Sequence, residues 1–295
     1  MPRPAAATVA DGELHVEAFD DPDAFARLGL EWLASHAYDG NVIGSELAKA
    51  HTHDPADRPD NLWFAVVDRS GAVVGVAMHT AGMGAFLPEL PPGAAEAVAA
   101  SLFRRNRKPP GANGDPEAAR AFCRAWSRFA GVSWEQTDAS ILYVLDTLRP
   151  PTGVPGELRL ATADDDLDQV ADWAGAFTAE ADRSAPPGDR RDAVRRRIAA
   201  EEILLWSVDD ETVSLAGVTP TTGGVARVNL VYTPPDRRGR GYGTAVSAGA
   251  TRTALERGAD ACMLYADVAN PVSNAIYQRI GYREHSESVG LRFRA

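Results

Sequence analysis

Arginines and glycines alternate in Arg237-Arg238-Gly239-Arg240-Gly241-Tyr242-Gly243, between a strand-like stretch (Val225 to Tyr232) and a helix-like one (Tyr242 to Arg257). Three anion-binding devices meet there. Glycines let backbone N–H groups approach an anion, a helix N-terminus offers orphan donors and the positive end of its dipole, and guanidinium groups add charge-assisted bonds. The segment predicts a site for a phosphate-bearing ligand. A nucleotide P-loop needs Gly-Lys-Ser/Thr at the helix start, whereas Gly243 is followed by Thr244 with no lysine. The dinucleotide fingerprint Gly-x-Gly-x-x-Gly/Ala is also broken, because its third position is Thr244 counted from Gly239 and Val246 counted from Gly241.

A second cluster follows the strand-like Cys262-Met263-Leu264-Tyr265-Ala266-Asp267, in the run from Asn270 to Tyr282. Pro271 suits a first helical position behind an Asn270 N-cap, and Gly281 suits the stop. Seven residues make nearly two helical turns, so Asn270, Asn274 and Tyr277 share one stripe. Two amides and a phenol thus face the same way.

The two clusters together resemble the GNAT superfamily of N-acetyltransferases. Its members carry Arg/Gln-x-x-Gly-x-Gly/Ala at the start of one helix, and Asn-x6-Tyr followed by Gly-Phe/Tyr on the next. Here these are Arg238-x-x-Gly241-x-Gly243 and Asn270-x6-Tyr277 with Gly281-Tyr282. The resemblance runs over about Gly156 to Ala295. It implies acetyl-CoA as acyl donor and no metal. The main chain from Gly239 through Arg240, Gly241, Tyr242 and Gly243 to Thr244 would hold the pyrophosphate. The backbone of Val231, Tyr232 and Thr233 would bind pantetheine and polarise the thioester, and Asn270 would touch the pantetheine arm, with Asn274 on the same stripe.

It also implies direct attack of an amine on the thioester, with Tyr277 protonating the departing thiolate. A phenol with an ordinary pKa of about 10 keeps its proton at neutral pH and suits that role. An alkylammonium has a similar pKa, so a base is required. Glu180, Asp267 and His285 are candidates; relatives that acetylate protein N-termini place a glutamate five residues before the motif asparagine, where this chain has Tyr265. The acceptor is a small-molecule or peptide amine. Mycothiol synthases combine one degenerate and one active unit in the same way, and a coenzyme-A sensor or scaffold without transfer is a different class of reading.

These residues need a framework. Leu62 to Val67, a turn at Asp68-Arg69-Ser70-Gly71 and Ala72 to Ala77 form a β-hairpin pattern. Ile203 to Val208, a turn at Asp209-Asp210-Glu211 and Val213 to Val218 repeat it about 140 residues later. Helices precede the second hairpin: Thr162 and Asp165 form a capping-box pattern ahead of the stripe Leu167, Val170, Trp173, Phe177, and Asp189 to Ala200 makes another helix, whose arginines interleave with carboxylates as on a solvated face. The expected fold is α/β, two GNAT-like domains in tandem, each a mixed, mostly antiparallel sheet flanked by helices. A Pro/Gly-rich linker at 150–156 divides a domain at 13–149 from a catalytic one at 157–295, behind a flexible N-terminus at 1–12. Where the cofactor loop should recur, the first half has Leu90-Pro91-Pro92-Gly93-Ala94-Ala95-Glu96-Ala97, without the arginines and the glycine series. That half is expected to bind no coenzyme A and to shape the acceptor cleft or support the catalytic half.

The net charge of −11 argues against a general affinity for nucleic acid or membrane surfaces. No signal-peptide plan and no run of 18 apolar residues is present, so a cytoplasmic protein is expected. Cys123 and Cys262 form no Cys-x-x-Cys pair and are expected to be buried and reduced. His51 and His53 have the look of a metal pair, but the polar segment around them is expected to be a surface loop.

Overall fold

The structure is a computed structural model that describes residues 7–8, 14–52, 60–181 and 190–294. The chain forms two compact units. Residues 1–141, 267–269 and 286–295 make up the first, and 142–266 with 270–285 the second.

The first unit begins with β1 (Ala7–Thr8), β2 (Leu14–Phe19), α1 (Pro22–Ser35), α2 (Asn41–Thr52), β3 (Asn61–Asp68) and β4 (Val73–Thr80). It continues with β5 (Ala85–Leu87), α3 (Ala94–Arg104), β6 (Gly111–Gly114), α4 (Pro116–Ala130) and β7 (Ser133–Leu145), whose last four residues belong to the second unit. Strands β1 to β4 pair in sequence order, all antiparallel, and the expected first hairpin is β3–β4. Strand β5 pairs antiparallel with β4 and parallel with β6. The β5–β6 ladder closes fully. It runs to Leu87↔Gly114, and beyond it the Asp115 N–H donates to the Leu87 carbonyl at 2.8 Å. A Cβ at Gly114 would lie 2.0 Å from that carbonyl oxygen, so only glycine allows strands this close.

Helix α4 starts where its sequence directs. Asp115 caps the Glu117 and Ala118 N–H groups, Pro116 takes the first position, and Gly131 ends the helix in the left-handed region. Its apolar face, with Phe122, Cys123 and Trp126, packs into one core with Val98 and Leu102 of α3 and Leu62, Phe64 and Val66 of β3. His51 lies in the last turn of α2, not in a loop, and pairs with Asp23 at 2.9 Å. Its expected neighbour His53 falls outside the described residues.

In the second unit β8 (Glu157–Leu160) is followed by α5 (Ala163–Ala181), α6 (Arg191–Ala199), β9 (Ile203–Val208), β10 (Glu211–Val218) and β11 (Val225–Tyr232). A 3-10 turn at Pro235–Arg237, α7 (Tyr242–Glu256), β12 (Ala261–Asp267), α8 (Pro271–Arg279) and β13 (Tyr282–Arg294) complete the chain. The strand order is β8-β9-β10-β11-β12, antiparallel except for the parallel pair β11–β12. Glu211 already belongs to β10, so Asp209 and Asp210 alone form the turn, both at positive φ (48° and 66°), as a two-residue hairpin loop of the primed type requires.

The start of α5 differs in detail from a Thr162–Asp165 box. Asp165 contacts only the Thr162 hydroxyl (3.1 Å), while Asp166 accepts from the Thr162 N–H (2.8 Å) and two bonds from Arg159 (both 2.8 Å). The stripe Leu167, Val170, Trp173, Phe177 packs against Val194 and Ile198 of α6 and Ile203, Leu205, Leu215 and Tyr232 of the sheet. Three of the four arginines of α6 pair with carboxylates, Arg191 with Asp168, Arg195 with Asp192 and Arg197 with Glu202.

Strand β13 divides its residues between the units. From Ser286 onward it belongs to the first, where Val289 and Leu291, each 4% exposed, join the core and pair with Gly114 and Ala112 of β6. Among the described residues no helix is long and apolar enough to cross a membrane. Cys123 and Cys262 are buried free thiols, and burial pushes them up to about 12 and about 11.

Candidate functional site at the β11–α7 junction

Strand β11 carries an irregularity midway. Leu215↔Tyr232 and Gly217↔Asn229 bracket two steps on β10 but three on β11, and Leu230 takes φ 49°. This is a β-bulge with an extra residue on β11, which bends the strand and breaks its regular ladder. On the other side, pairing with β12 ends at Arg227↔Met263, although β11 runs on to Tyr232 and β12 to Asp267. The two strands therefore separate toward their C-terminal ends, in contrast to the closed β5–β6 pair. Such an opening at the carboxyl ends of parallel strands is where ligands enter α/β sheets.

Ser214, fully buried in β10, fixes the end of β11. Its hydroxyl donates to the Tyr232 carbonyl at 2.9 Å and lies 2.8 Å from the Thr233 hydroxyl. The chain then passes through the 3-10 turn to Gly239 and Gly241, at φ 78° and 84°, and into α7. Gly241 is the N-cap residue, and no side chain caps the helix. The first turn of α7 holds no acidic residue, so no carboxylate of the helix's own first turn competes with an anion for its amide donors and dipole. Tyr242 and Thr244 are buried, 6% and 5% exposed, which leaves their main chain rather than their side chains for a ligand. A Cβ on Gly243 would lie 3.3 Å from Thr233 Oγ1 and 3.9 Å from Ile276 Cδ1, so the start of α7 is flanked by the end of β11 and by α8.

Arg238 is held on three sides. Its Nε donates to the Thr233 carbonyl at 2.8 Å, and Nη2 donates to both Glu180 oxygens at 2.9 and 2.8 Å. The guanidinium carbon stands 5.7 Å from the Tyr232 ring centroid. Burial, and then the neighbouring Glu180 carboxylate, raise the Tyr232 phenol above its ordinary range. Arg240 is exposed, and Val231 and Thr233 are half-buried at the strand end. Of the candidate bases, Glu180 is thus engaged with the motif arginine. Asp267 is exposed, its Oδ1 accepts from the Ala269 N–H at 2.8 Å, and it is counted with the first unit; His285 is exposed in the second.

Helix α8 forms over the expected residues. The Asn270 side chain accepts from the Ser273 N–H at 3.1 Å, and Asn274 Nδ2 donates to the Asn270 carbonyl at 2.9 Å. The two amides are tied into the helix start, which leaves the Asn270 Nδ2 group to offer. Tyr277 is 7% exposed and packs between Tyr143 and Tyr282, with ring centroids 6.4 and 6.3 Å away. Burial raises its phenol well above the ordinary tyrosine range, so it stays protonated. The Tyr282 hydroxyl lies 2.8 Å from Thr251 Oγ1, and Tyr143 sits between Gln278 and Glu284, each 3.4 Å from its hydroxyl.

Sequence reasoning missed the Leu230 bulge, Ser214 and Tyr143. A serine within the apolar run Val213-Ser214-Leu215 was the available signal for the second; nothing local marked the first.

Residues 167–282 match the model of the acetyltransferase (GNAT) family. The chain is 33% identical over 187 residues to a mycothiol acetyltransferase of Clavibacter sepedonicus and 32% identical over 188 residues to that of Clavibacter michiganensis subsp. michiganensis. Each match covers 61% of this chain and 60% of the relative, so the chain spans about three fifths of the length of the curated relatives it matches. In fold it is similar to a tandem GNAT protein from the clavulanic acid biosynthesis pathway (TM-score 0.59, 16% identity, 96% of this chain and 98% of that one). A GCN5-related N-acetyltransferase from Sphaerobacter thermophilus is similar too (TM-score 0.57, 15% identity, 95% of each chain). The resemblance to the acetyltransferase (GNAT) family thus lies in sequence over residues 167–282 and in fold over nearly the whole chain.

Proposed function

We propose that residues 157–295 form an acetyl-CoA-dependent N-acetyltransferase that acts in the cytoplasm on a small-molecule or peptide amine, by direct attack in a ternary complex. The observation that carries this reading is the opening of the β11–β12 ladder after Arg227↔Met263, set beside the uncapped N-terminus of α7. A slot for an extended arm thus leads from a cradle for phosphates, and coenzyme A has both parts. The amides from Gly239 to Thr244 hold the pyrophosphate with Arg238 and Arg240 nearby, the main chain of Val231, Tyr232 and Thr233 holds pantetheine, and Asn270 offers its Nδ2 group to the same arm.

In the reaction a base first removes one proton from the acceptor ammonium. The free amine attacks the thioester carbon, main-chain N–H groups at the end of β11 stabilise the oxyanion, and the C–S bond breaks. Tyr277 gives its proton to the thiolate and is refilled from the nitrogen that has become an amide. Burial keeps the phenol protonated until the thiolate forms, and the proton shed by the new amide nitrogen restores it before the next turnover.

On the same comparison of strand pairs we read residues 13–149 as a degenerate copy without a donor site. Its parallel strands stay paired through Leu87↔Gly114 and are closed by the Asp115 N–H, leaving no slot. Helix α3 also begins at an uncapped left-handed glycine, Gly93, yet it carries Glu96 in its first turn, a carboxylate where a phosphate would have to sit.

Thiol release from acetyl-CoA with a panel of amines tests the proposal. Tyr277→Phe is expected to fold normally and to lose turnover by about 10²-fold or more. Intact coenzyme A binding with no turnover for any amine, and no effect of Tyr277→Phe, would leave the sensor or scaffold reading in its place. The 33% identity to a mycothiol acetyltransferase favours a second reading of the acceptor, a mycothiol-type amine, which belongs in the same panel.

A further inference from the structure

We infer that Glu180 and Arg238 form a latch that the donor itself opens: a phosphate of coenzyme A displaces Glu180 from Arg238, and the freed carboxylate becomes available on the acceptor side. This rests on the coenzyme A reading of the same site.

Arg238 is the first residue of the phosphate-loop motif, yet its guanidinium is turned back onto the end of β11. Nε is committed to the Thr233 carbonyl and Nη2 to both oxygens of Glu180, which stands at the C-terminal end of α5, 58 residues earlier in the chain. The neighbouring charges are already paired with one another, Arg237 with Glu211 at 2.9 Å and with Asp236 at 3.2 Å. Glu180 therefore places a negative charge, held by Arg238, next to the cradle where a pyrophosphate must bind.

Both partners are about half exposed, 48% and 50%, and a pair in that setting is held weakly. The pyrophosphate carries two negative charges against the carboxylate's one and matches the guanidinium fork as well, so the exchange runs toward the ligand once the loop amides hold it. Thr233 keeps its bond to Nε during the exchange, so the arginine swings from a fixed point. The arrangement orders the reaction: donor binding precedes release of Glu180, the candidate base, toward the ammonium.

Calorimetric titration of the full chain with coenzyme A tests the latch, using wild type, Glu180→Gln, Arg238→Gln and the double variant. Removing the competing carboxylate is expected to tighten coenzyme A by about 2- to 5-fold, the range that a half-exposed ion pair can withhold. Arg238→Gln is expected to weaken binding, and in that background Glu180→Gln should change affinity clearly less than it does in wild type. Steady-state kinetics add a second readout, because loss of the latch in Glu180→Gln should lower KM for acetyl-CoA while kcat falls. Unchanged or weaker binding by Glu180→Gln overturns the latch. So does equal tightening with and without Arg238, which would mark a diffuse charge effect. Wild-type protein that binds no coenzyme A overturns the cofactor reading and the latch with it, and is told apart because no variant comparison is needed to see it.

Discussion

The proposed phosphate loop can be probed by placing one methyl group at either of two glycines two residues apart. Gly241 sits at φ 84°, and a Cβ there would also approach Val154 Cγ2 to 3.0 Å. Alanine in the left-handed region costs roughly 1–2 kcal/mol, and the contact falls on a side chain that can shift, so the strain dominates. Gly243 lies inside α7 at helical φ, where alanine is favoured by up to about 1 kcal/mol. Its methyl would meet Thr233 Oγ1 at 3.3 Å, a contact that takes back part of this gain. Gly241→Ala is therefore expected to lower stability by about 1–2 kcal/mol, or to relax the loop and withdraw its amides, with coenzyme A binding weaker by about 10-fold. Gly243→Ala should stay within about 0.5 kcal/mol of wild type and bind coenzyme A normally. Urea midpoints at constant m-value and calorimetric titration measure both quantities. If Gly243→Ala lost as much affinity as Gly241→Ala, the argument from backbone conformation would fail, and the methyl itself would be blocking the ligand.

Two further outcomes are expected. His79 is 2% exposed, neither ring nitrogen has a hydrogen-bond partner among the described residues, and burial, then the Arg107 charge, lower its pKa against an opposing pull from Asp60. The unfolded chain takes up that proton below about pH 6.5 while the folded chain does not, so stability present above pH 6.5 is lost as pH falls, by at most about 1.4 kcal/mol per pH unit. Urea midpoints between pH 7.5 and 5 should fall more steeply for wild type than for His79→Gln, and parallel slopes would refute the assignment. Titration with acetyl-CoA should give one site per chain; two sites, one of them lost when the first unit alone is disrupted, would overturn the degenerate reading of that unit.

Many of the elements around the candidate site were legible because their signals are local. Asn270 followed by Pro271, and Gly281 ten residues later, delimit α8 through capping chemistry that needs no distant partner. Gly239 and Gly241 announce left-handed backbone, and the alternation of strands and helices follows from side-chain periodicity. The two hairpins form where the sequence pattern places them, as β3–β4 and β9–β10.

The sequence by itself determined the elements around the Arg-Gly loop, the spacing of Asn270 and Tyr277 along one helix, and the two hairpins, since each follows from the conformational preferences of neighbouring residues. Only tertiary structure decided that Leu230 would bulge, because a bulge is a mismatch of register between β10 and β11 and neither strand encodes it alone. It also decided that β11 and β12 separate while β5 and β6 close, that Glu180 meets Arg238 across 58 residues, and that β13 gives its last residues to the first unit's core. Each depends on which surfaces bury each other, a long-range condition that local propensity does not carry.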